Sequence, residues 1–226
     1  MLVVATNPTL STVCYALAYL TALAVFAWSA KRRGILSWNL IELACFGLGV
    51  GLAGAAIVQL AVTHSPGRSI IVGICIGYAA IHFSKAKFGI TRPLGDHFAL
   101  ALAAGEGIGR LGCFFGGCCC GKNCQSVFSI YQNGAWRYPT QLYSSIGSLL
   151  IFAGLLWLQK NKKLPENGLF FIYGLTSSAL RFGIENYRDV APMSGVTITS
   201  IQLLCLAAVL YYCVMLWKQH KQLSHG

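Results

Sequence analysis

The sequence has few charged residues, and among these the acidic residues are much rarer than the basic ones. Only 10% of its 226 residues are charged, and only 6 residues are Asp or Glu, whereas a soluble protein carries about 25% charged residues. Hydrophobic residues make up 56% of the chain, and the mean hydropathy is +0.62. This composition excludes a disordered protein, a nucleic-acid-binding tail and an ordinary cytosolic enzyme. It predicts a polytopic membrane protein.

Seven apolar runs indicate transmembrane helices, each of which takes about 20 residues. The first run lacks a preceding basic residue and a following cleavage site, which favours a retained span over a signal peptide. The fourth is expected to begin at Asp96 as N-cap. We therefore expect an all-α, seven-helix membrane bundle with one integral membrane domain over residues 1–226. The runs cover residues 11–30, 38–62, 69–84, 96 to about 112, 139–158, 168 to about 184, and 197–217.

Basic residues predict the orientation of these helices. Short cytoplasmic loops of membrane proteins collect Lys and Arg. Only Arg68, Lys122 and Arg137 lie in the loops on one side, so we expect that side to be outside, with the N-terminus. The C-terminus would be a short cytoplasmic tail, residues 218–226. The basic residues of the predicted cytoplasmic side are Lys31, Arg32, Arg33, Lys85, Lys87, Arg92, Lys160, Lys162, Lys163, Lys218 and Lys221.

Charged residues at the predicted outer ends of two spans form the first candidate site. Arg110 ends the fourth span, and Arg181, Glu185 and Arg188 end the sixth. Spacings of four and three residues place the last three on one helix face. An internal salt bridge is one interpretation, because charge at membrane depth is costly. Three arginines exceed one carboxylate, however, and guanidinium binds phosphate bidentately. The pattern therefore predicts a site for a phospholipid head group.

Half of the ten cysteines crowd into one short glycine-rich stretch. Three interpretations stay open: at least one disulfide in an oxidising outer compartment, a site for a soft metal ion, or a reactive thiol. We take Cys118 as the candidate thiol, because a neighbouring Arg110 would lower its pKa. We expect no metal and no other cofactor. The clustered cysteines are Cys113, Cys118, Cys119, Cys120 and Cys124.

Three segments, in this order, resemble the prolipoprotein diacylglyceryl transferase family. Residues 109–121 read Gly-Arg-Leu-Gly-Cys-Phe-Phe-Gly-Gly-Cys-Cys-Cys-Gly, which is similar to the family's Gly-Arg-x-Gly-Asn-Phe-x-Asn-x-Glu-x-x-Gly. Residues 138–143 read Tyr-Pro-Thr-Gln-Leu-Tyr, close to His-Pro-Ser-Gln-Leu-Tyr. Residues 181–188 match the family's Arg-Phe-x-x-Glu-x-x-Arg. The resemblance covers roughly residues 66–189.

The resemblance implies a transferase in the bacterial cytoplasmic (inner) membrane with seven spans and an outside N-terminus. Such enzymes move a diacylglyceryl group from phosphatidylglycerol to the lipobox cysteine of a lipoprotein precursor, and glycerol phosphate leaves. By position, the arginines and Glu185 would hold the head group and stabilise the departing phosphate. We therefore expect a catalytic set of Arg110, Cys118, Arg181 and Glu185. The expected substrate-binding set is Cys113, Gln141, Tyr143, Arg188 and Arg137.

The chain departs from the family pattern at residues that would handle the acceptor and the proton. Cys113, Gly116 and Cys118 replace two Asn and a Glu, Ser144 replaces a Glu, and the third span lacks the family's histidine. We therefore expect a transferase that takes phosphatidylglycerol or a related phospholipid at the outer leaflet. Its acceptor would be a lipoprotein precursor or a small thiol or hydroxyl compound, with no nucleic-acid partner. The alternatives are a non-catalytic phospholipid-binding or thiol-redox membrane protein and, less favoured, a transporter.

Overall fold

Seven α-helices account for most of the fold. The computed structural model describes residues 2–63, 70–190 and 198–224. Arg68, the predicted start of the third span at Ser69 and the predicted start of the last span at Thr197 lie outside these ranges. The tail predicted from residue 218 onward continues the last helix as far as residue 224. The helices are α1 Pro8–Arg32, α2 Trp38–Thr63, α3 Ile70–Ser84, α4 Gly95–Phe115, α5 Thr140–Asn161, α6 Gly168–Glu185 and α7 Ser200–Ser224.

Five of these helices are long and apolar enough to cross a membrane. They are α1, α2 over Trp38–Val58, α4, α5 and α7 over Ser200–Lys221. In α3 the apolar stretch is shorter, Val72–Ser84, and α6 has 18 residues. The predicted helical membrane fold is confirmed to this extent. It remains a prediction that all seven helices span the membrane. The direction in which they cross it also remains a prediction.

A small three-stranded sheet departs from the all-α prediction. Strand β1 (Leu2–Val3) pairs in parallel with β2 (Ile130–Gln132), and β2 pairs antiparallel with β3 (Ala135–Arg137). Asn133 and Gly134 connect β2 to β3 with positive φ angles of 53° and 78°. An Asn-Gly pair is the preferred sequence for such a two-residue hairpin turn, so the hairpin had a local signal. Strands β2 and β3 lie between the fourth and fifth predicted spans, where the sequence predicts only a loop, and β1 lies before the first span.

The chain divides into two compact units, and the prediction of a single domain over 1–226 stays a prediction. One unit comprises residues 1–26 and 94–226, and the other comprises residues 27–93. In the first unit α4 packs against α5 and α6. Two small residues of α4 let the helices approach closely: Ala99 and Ala103 are fully buried, together with Leu100, in one cluster with Leu155 and Leu169. Burial of this apolar surface stabilises the helices that carry the candidate site.

In the second unit α2 and α3 contact each other through glycines. A Cβ on Gly51 would lie 2.7 Å from the Gly73 carbonyl oxygen, and one on Gly77 would lie 2.8 Å from the Gly47 carbonyl oxygen. Small residues four apart let helix backbones approach closely. The glycines on the two facing helices therefore allow α2 and α3 to pack closely.

Asp96 joins the starts of α4 and α6. The predicted role as N-cap of its own helix is wrong: α4 begins at Gly95 with Leu94 as its N-cap residue, and the first N–H, that of Gly95, donates a hydrogen bond of 3.2 Å to Asn167 Oδ1. Instead, the Asp96 Oδ1 accepts a hydrogen bond of 3.3 Å from the Phe170 backbone N–H, in the first turn of α6. A carboxylate at this place satisfies an N–H that has no partner within its helix. The contact aligns the two helices whose other ends carry the arginines.

Candidate active site

Glu185 is the centre of a buried ion cluster at the end of α6. Its side chain is fully buried. Its Oε2 lies 3.1 Å from Arg181 Nη2 and 3.2 Å from Arg188 Nη1. The four-residue spacing places Arg181 and Glu185 on one face of α6. Arg188 does not lie on that helix face as the sequence predicts, because α6 ends at Glu185; it reaches the same carboxylate from the segment that follows the helix. The prediction that Glu185 reaches both arginines is confirmed.

Arg110 reaches the same region from α4, with a carboxylate of its own. It is buried, and its Nη2 lies 3.0 Å from Glu106 Oε1. Sequence reasoning missed Glu106, although a glutamate four residues before an arginine predicts an ion pair. Arg110 and Arg181 line one cavity. The three arginines therefore face two carboxylates, which leaves a smaller excess of positive charge than the sequence predicts.

The cavity between these arginines is small. Its volume is about 10 Å³, enough for about one water molecule. A phosphate group would therefore enter only if the surrounding side chains moved apart. The lining residues are Glu106, Arg110, Ser144, Ser177, Leu180, Arg181 and Ile184.

Two guanidinium groups of this cluster keep a buried donor without a partner. The Nε atoms of Arg110 and Arg188 are buried, and neither has a hydrogen-bond partner among the described residues. A buried donor left unpaired costs about 1–3 kcal/mol. An anion that accepts from these N–H groups would remove that cost. The arrangement is therefore chemically suited to bind a phosphate.

Three of the clustered thiols converge at the end of α4. The Sγ atoms of Cys113, Cys118 and Cys119 all lie within 4.8 Å of one another. Cys113 is buried in the last turn of α4, Cys119 is half-buried, and Cys118 is exposed. All ten cysteines are free thiols, so none of the disulfides considered from the sequence is formed in this structure.

Among the three converging thiols, Cys119 is the one whose pKa is lowered, and the sequence does not indicate this. Hydrogen bonds from the thiols of Cys113 and Cys118, and then the charges of Arg188 and Arg110, lower the pKa of Cys119. The pKa of Cys118 is raised, chiefly because its hydrogen bonds to Cys113 and Cys119 favour the thiol form. The thiolate form, which the sequence predicts for Cys118, is therefore favoured for Cys119 instead.

The start of α5 holds the backbone of this cluster. Thr140 Oγ1 donates a hydrogen bond of 2.9 Å to the Cys119 carbonyl, and Gln141 Nε2 donates one of 2.8 Å to the Cys118 carbonyl. Gln141 is thus bound to the loop, while its buried Oε1 has no partner among the described residues. Tyr143 is half-buried, and in the described part of the chain no hydrogen bond joins it to the arginines.

Arg137 connects the loop to the segment after α6. Its Nη1 donates to Asp189 Oδ2 at 2.9 Å and to the Gly121 carbonyl at 3.3 Å. The backbone N–H of Gly121 donates to the Tyr138 carbonyl at 3.1 Å, and that of Lys122 donates to the Tyr187 carbonyl at 2.8 Å. These contacts hold the cysteine loop, the start of α5 and the end of α6 together. Arg137 has a positioning role in addition to the substrate contact that the sequence predicts.

Gly121 is the point where this assembly is tightest, and we expect Gly121→Ala to disrupt it. A Cβ there would lie 2.5 Å from the Tyr138 carbonyl oxygen and 2.8 Å from that of Tyr187. We expect the free energy of unfolding to fall by about 1–3 kcal/mol, as for other overpacked sites. Thermal unfolding in detergent measures this. Gly154→Ala is the matched control, since nothing lies within 4 Å of a Cβ at that position. Equal stability of the two variants would contradict the conclusion that the backbone packs closely around Gly121.

Comparison with known proteins places the chain in a family. The family model for prolipoprotein diacylglyceryl transferase matches residues 6–218. A phosphatidylglycerol–prolipoprotein diacylglyceryl transferase of Clostridium tetani is 27% identical over 194 residues, which are 74% of this chain and 77% of that protein. The protein of the same name from Finegoldia magna is 31% identical over 57% of this chain and 51% of its own length. That of Corynebacterium diphtheriae is 28% identical over 63% of this chain and 59% of its own length.

The fold and the site together define a helical membrane protein with a buried arginine–glutamate cluster beside a cluster of thiols. The match over nearly the whole chain makes the assignment more specific. The chain belongs to the prolipoprotein diacylglyceryl transferase family, a family of transferases. The resemblance stated from the three sequence segments is therefore confirmed.

Proposed function

We propose that the protein transfers a diacylglyceryl group from phosphatidylglycerol to a cysteine thiol of a lipoprotein precursor. The names of its relatives indicate both substrates. They give no support to the small thiol or hydroxyl acceptor that the sequence also allows. In this reaction the acceptor sulfur forms a bond to the glycerol carbon, the bond between that carbon and the phosphate oxygen breaks, and glycerol phosphate leaves.

The buried arginines are the observation that supports this proposal most strongly. The Nε atoms of Arg110 and Arg188 are buried without a hydrogen-bond partner among the described residues, and Arg110 and Arg181 line one cavity. In the proposed reaction these groups bind the phosphodiester and stabilise the charge that develops on the departing phosphate. Glu185 holds Arg181 and Arg188 in place. We also propose that the phospholipid substrate is bound by Arg137, Gln141 and Tyr143.

The thiols are proposed to serve the acceptor half of the reaction. Cys113 and Cys118 replace family residues there, and the family's histidine is missing. The thiol proposed from the sequence as catalytic is Cys118, and because the thiolate form is favoured at Cys119 we propose that these two act together with Cys113. Their place next to Arg110 and Arg188 brings them to the side where the lipid phosphate would bind.

A direct assay distinguishes an enzyme from a lipid-binding protein. Purified protein in vesicles of labelled phosphatidylglycerol, with a cysteine-containing lipoprotein-precursor peptide, should release glycerol phosphate and attach the diacylglyceryl group to the peptide. A peptide with Ser in place of that Cys is the control and should remain unmodified. Lipid that binds without turnover would favour the alternative, a non-catalytic phospholipid-binding or thiol-redox membrane protein.

We further propose that the site faces the outer leaflet of the bacterial inner membrane, with the C-terminus in the cytoplasm. The excess of basic residues in alternate loops supports this orientation. A reporter that is active only in the cytoplasm should therefore work when fused after Lys163 or Gly226 and fail when inserted near Gln125. Activity near Gln125 would overturn the orientation and, with it, the outer-leaflet site.

A further inference from the structure

The three converging thiols have the geometry of a metal site. The Sγ atoms of Cys113, Cys118 and Cys119 lie within 4.8 Å of one another. Three sulfurs bound to one zinc ion at about 2.3 Å lie roughly 3.8–4.0 Å apart. Shifts of about 1 Å or less would therefore bring all three to one ion. Cys120 and Cys124 belong to the same loop but not to this group.

Neighbouring side chains hold the three thiols in place. Cys119 has a φ of 59°, a left-handed conformation that costs a non-glycine residue of order 1–3 kcal/mol. The hydrogen bonds from Thr140 and Gln141 to the carbonyls of Cys119 and Cys118 maintain it. The Tyr15 hydroxyl lies 3.3 Å from Cys113 Sγ. Metal ligands in proteins have such outer partners, which fix their orientation.

Charge and access favour a catalytic site over a closed structural site. Three thiolates around a divalent ion carry one excess negative charge, and Arg110 and Arg188 lie close enough to offset it. Cys113 is buried, whereas Cys118 is exposed. The cluster is therefore covered on one side and open on the other. Catalytic zinc sites have three protein ligands and one open position.

We propose that Cys113, Cys118 and Cys119 hold a thiophilic divalent ion, zinc, whose fourth position binds the acceptor thiol of the transfer reaction. This inference rests on the proposed function for the identity of that thiol. It selects the soft-metal alternative over the expectation from the sequence that no metal is bound. It also accounts for the missing histidine, because a thiol that coordinates zinc is deprotonated without a side-chain base.

The proposed step balances without an oxidant or a further reactant. The acceptor thiol loses its proton to solvent when its sulfur coordinates the ion. A sulfur electron pair then forms the bond to the glycerol carbon, and the electrons of the breaking carbon–oxygen bond leave on the phosphate. The product is a thioether, a neutral sulfur that binds zinc less strongly than a thiolate, so the next acceptor thiol displaces it. Nothing is oxidised or reduced.

Cobalt(II) is a spectroscopic probe for the site. We expect the purified full-length protein, stripped of metal under reducing conditions, to bind one Co(II) per chain with thiolate-to-cobalt charge-transfer absorption, and Zn(II) to displace it. Cys113→Ser, Cys118→Ser and Cys119→Ser should each weaken Co(II) binding at least about 10-fold, the lower end of what loss of an outer partner costs a metal site. Cys124→Ser is the matched control and should bind as the unmodified protein does. X-ray absorption of the unmodified protein with Cd(II) should count three sulfur neighbours.

Addition of the acceptor tests the open position. A cysteine-containing lipoprotein-precursor peptide should shift the Co(II) spectrum towards four sulfur ligands, and the Ser peptide should not. Three results would overturn the proposal. The first is a Co(II) spectrum that the cysteine peptide leaves unchanged, and the second is Co(II) binding by Cys124→Ser that is as weak as that of the other variants. The third is a disulfide between two of the three cysteines in protein isolated without reductant. These measurements need no lipid, so they can succeed in a protein that shows no turnover. Conversely, turnover that survives complete removal of metal would overturn the metal site and leave the proposed transferase intact.

Discussion

Arg110→Lys and Arg181→Lys should each lower kcat/KM for phosphatidylglycerol about 10²–10³-fold, the effect of removing one group that stabilises developing charge. Lysine keeps the positive charge but loses the planar fork that binds two phosphate oxygens. Most of the loss should fall on kcat if the arginines act on the departing phosphate, because such an interaction is stronger in the transition state than in the bound substrate. Release of labelled glycerol phosphate from vesicles measures both constants.

Arg92→Lys is the matched control for these two variants. Arg92 is exposed and precedes α4, outside the ion cluster, so the same substitution there should leave kcat/KM unchanged. Each variant should be recovered at the yield of the unmodified protein, with the same elution volume in detergent. Full turnover by Arg110→Lys under these conditions would show that the phosphate site is wrongly assigned.

Helix periodicity and helix length explain why so much of the fold was predictable. An apolar run of membrane length has few alternatives to a helix, because backbone polar groups in lipid must be satisfied within the segment. The same periodicity correctly placed Arg181 beside Glu185, whereas Arg188 meets Glu185 from the segment after the end of α6. The small sheet escaped prediction for a related reason: its strands have two or three residues each, and β1 pairs with β2 across more than half of the chain.

With the exception of Glu106, the contacts missed at the site are those made between distant segments. Glu106 had a local signal, its spacing from Arg110. The contact of Tyr15 with Cys113 joins residues 98 positions apart, and no pattern near either residue indicates it. The lowered pKa of Cys119 depends on hydrogen bonds from the thiols of Cys113 and Cys118 and on the charges of two arginines from distant segments. Sequence reasoning could count the thiols of the loop but could not say which of them meet.

Glu185→Gln should produce the largest loss of stability at the site. The Glu185 side chain is fully buried and is the carboxylate partner of both Arg181 and Arg188. The substitution keeps the shape of the side chain and removes its charge, so two largely buried guanidinium groups lose their shared counter-charge. Removal of one partner from a buried ion pair typically costs about 3–5 kcal/mol. Thermal unfolding in detergent should show this loss, whereas Glu166→Gln, at an exposed glutamate, should not.

Inorganic phosphate then separates a structural role from anion binding. If the arginines form an anion site, phosphate should bind the variant, replace part of the missing negative charge and raise its unfolding temperature more than that of the unmodified protein. Chloride at the same ionic strength should not do so, because it lacks oxygens placed to accept from two N–H groups at once. Equal effects of the two salts on Glu185→Gln would mean that the cluster serves only to hold α6 and the following segment together. In that case the role of Arg181 and Arg188 in binding the lipid phosphate would have to be abandoned.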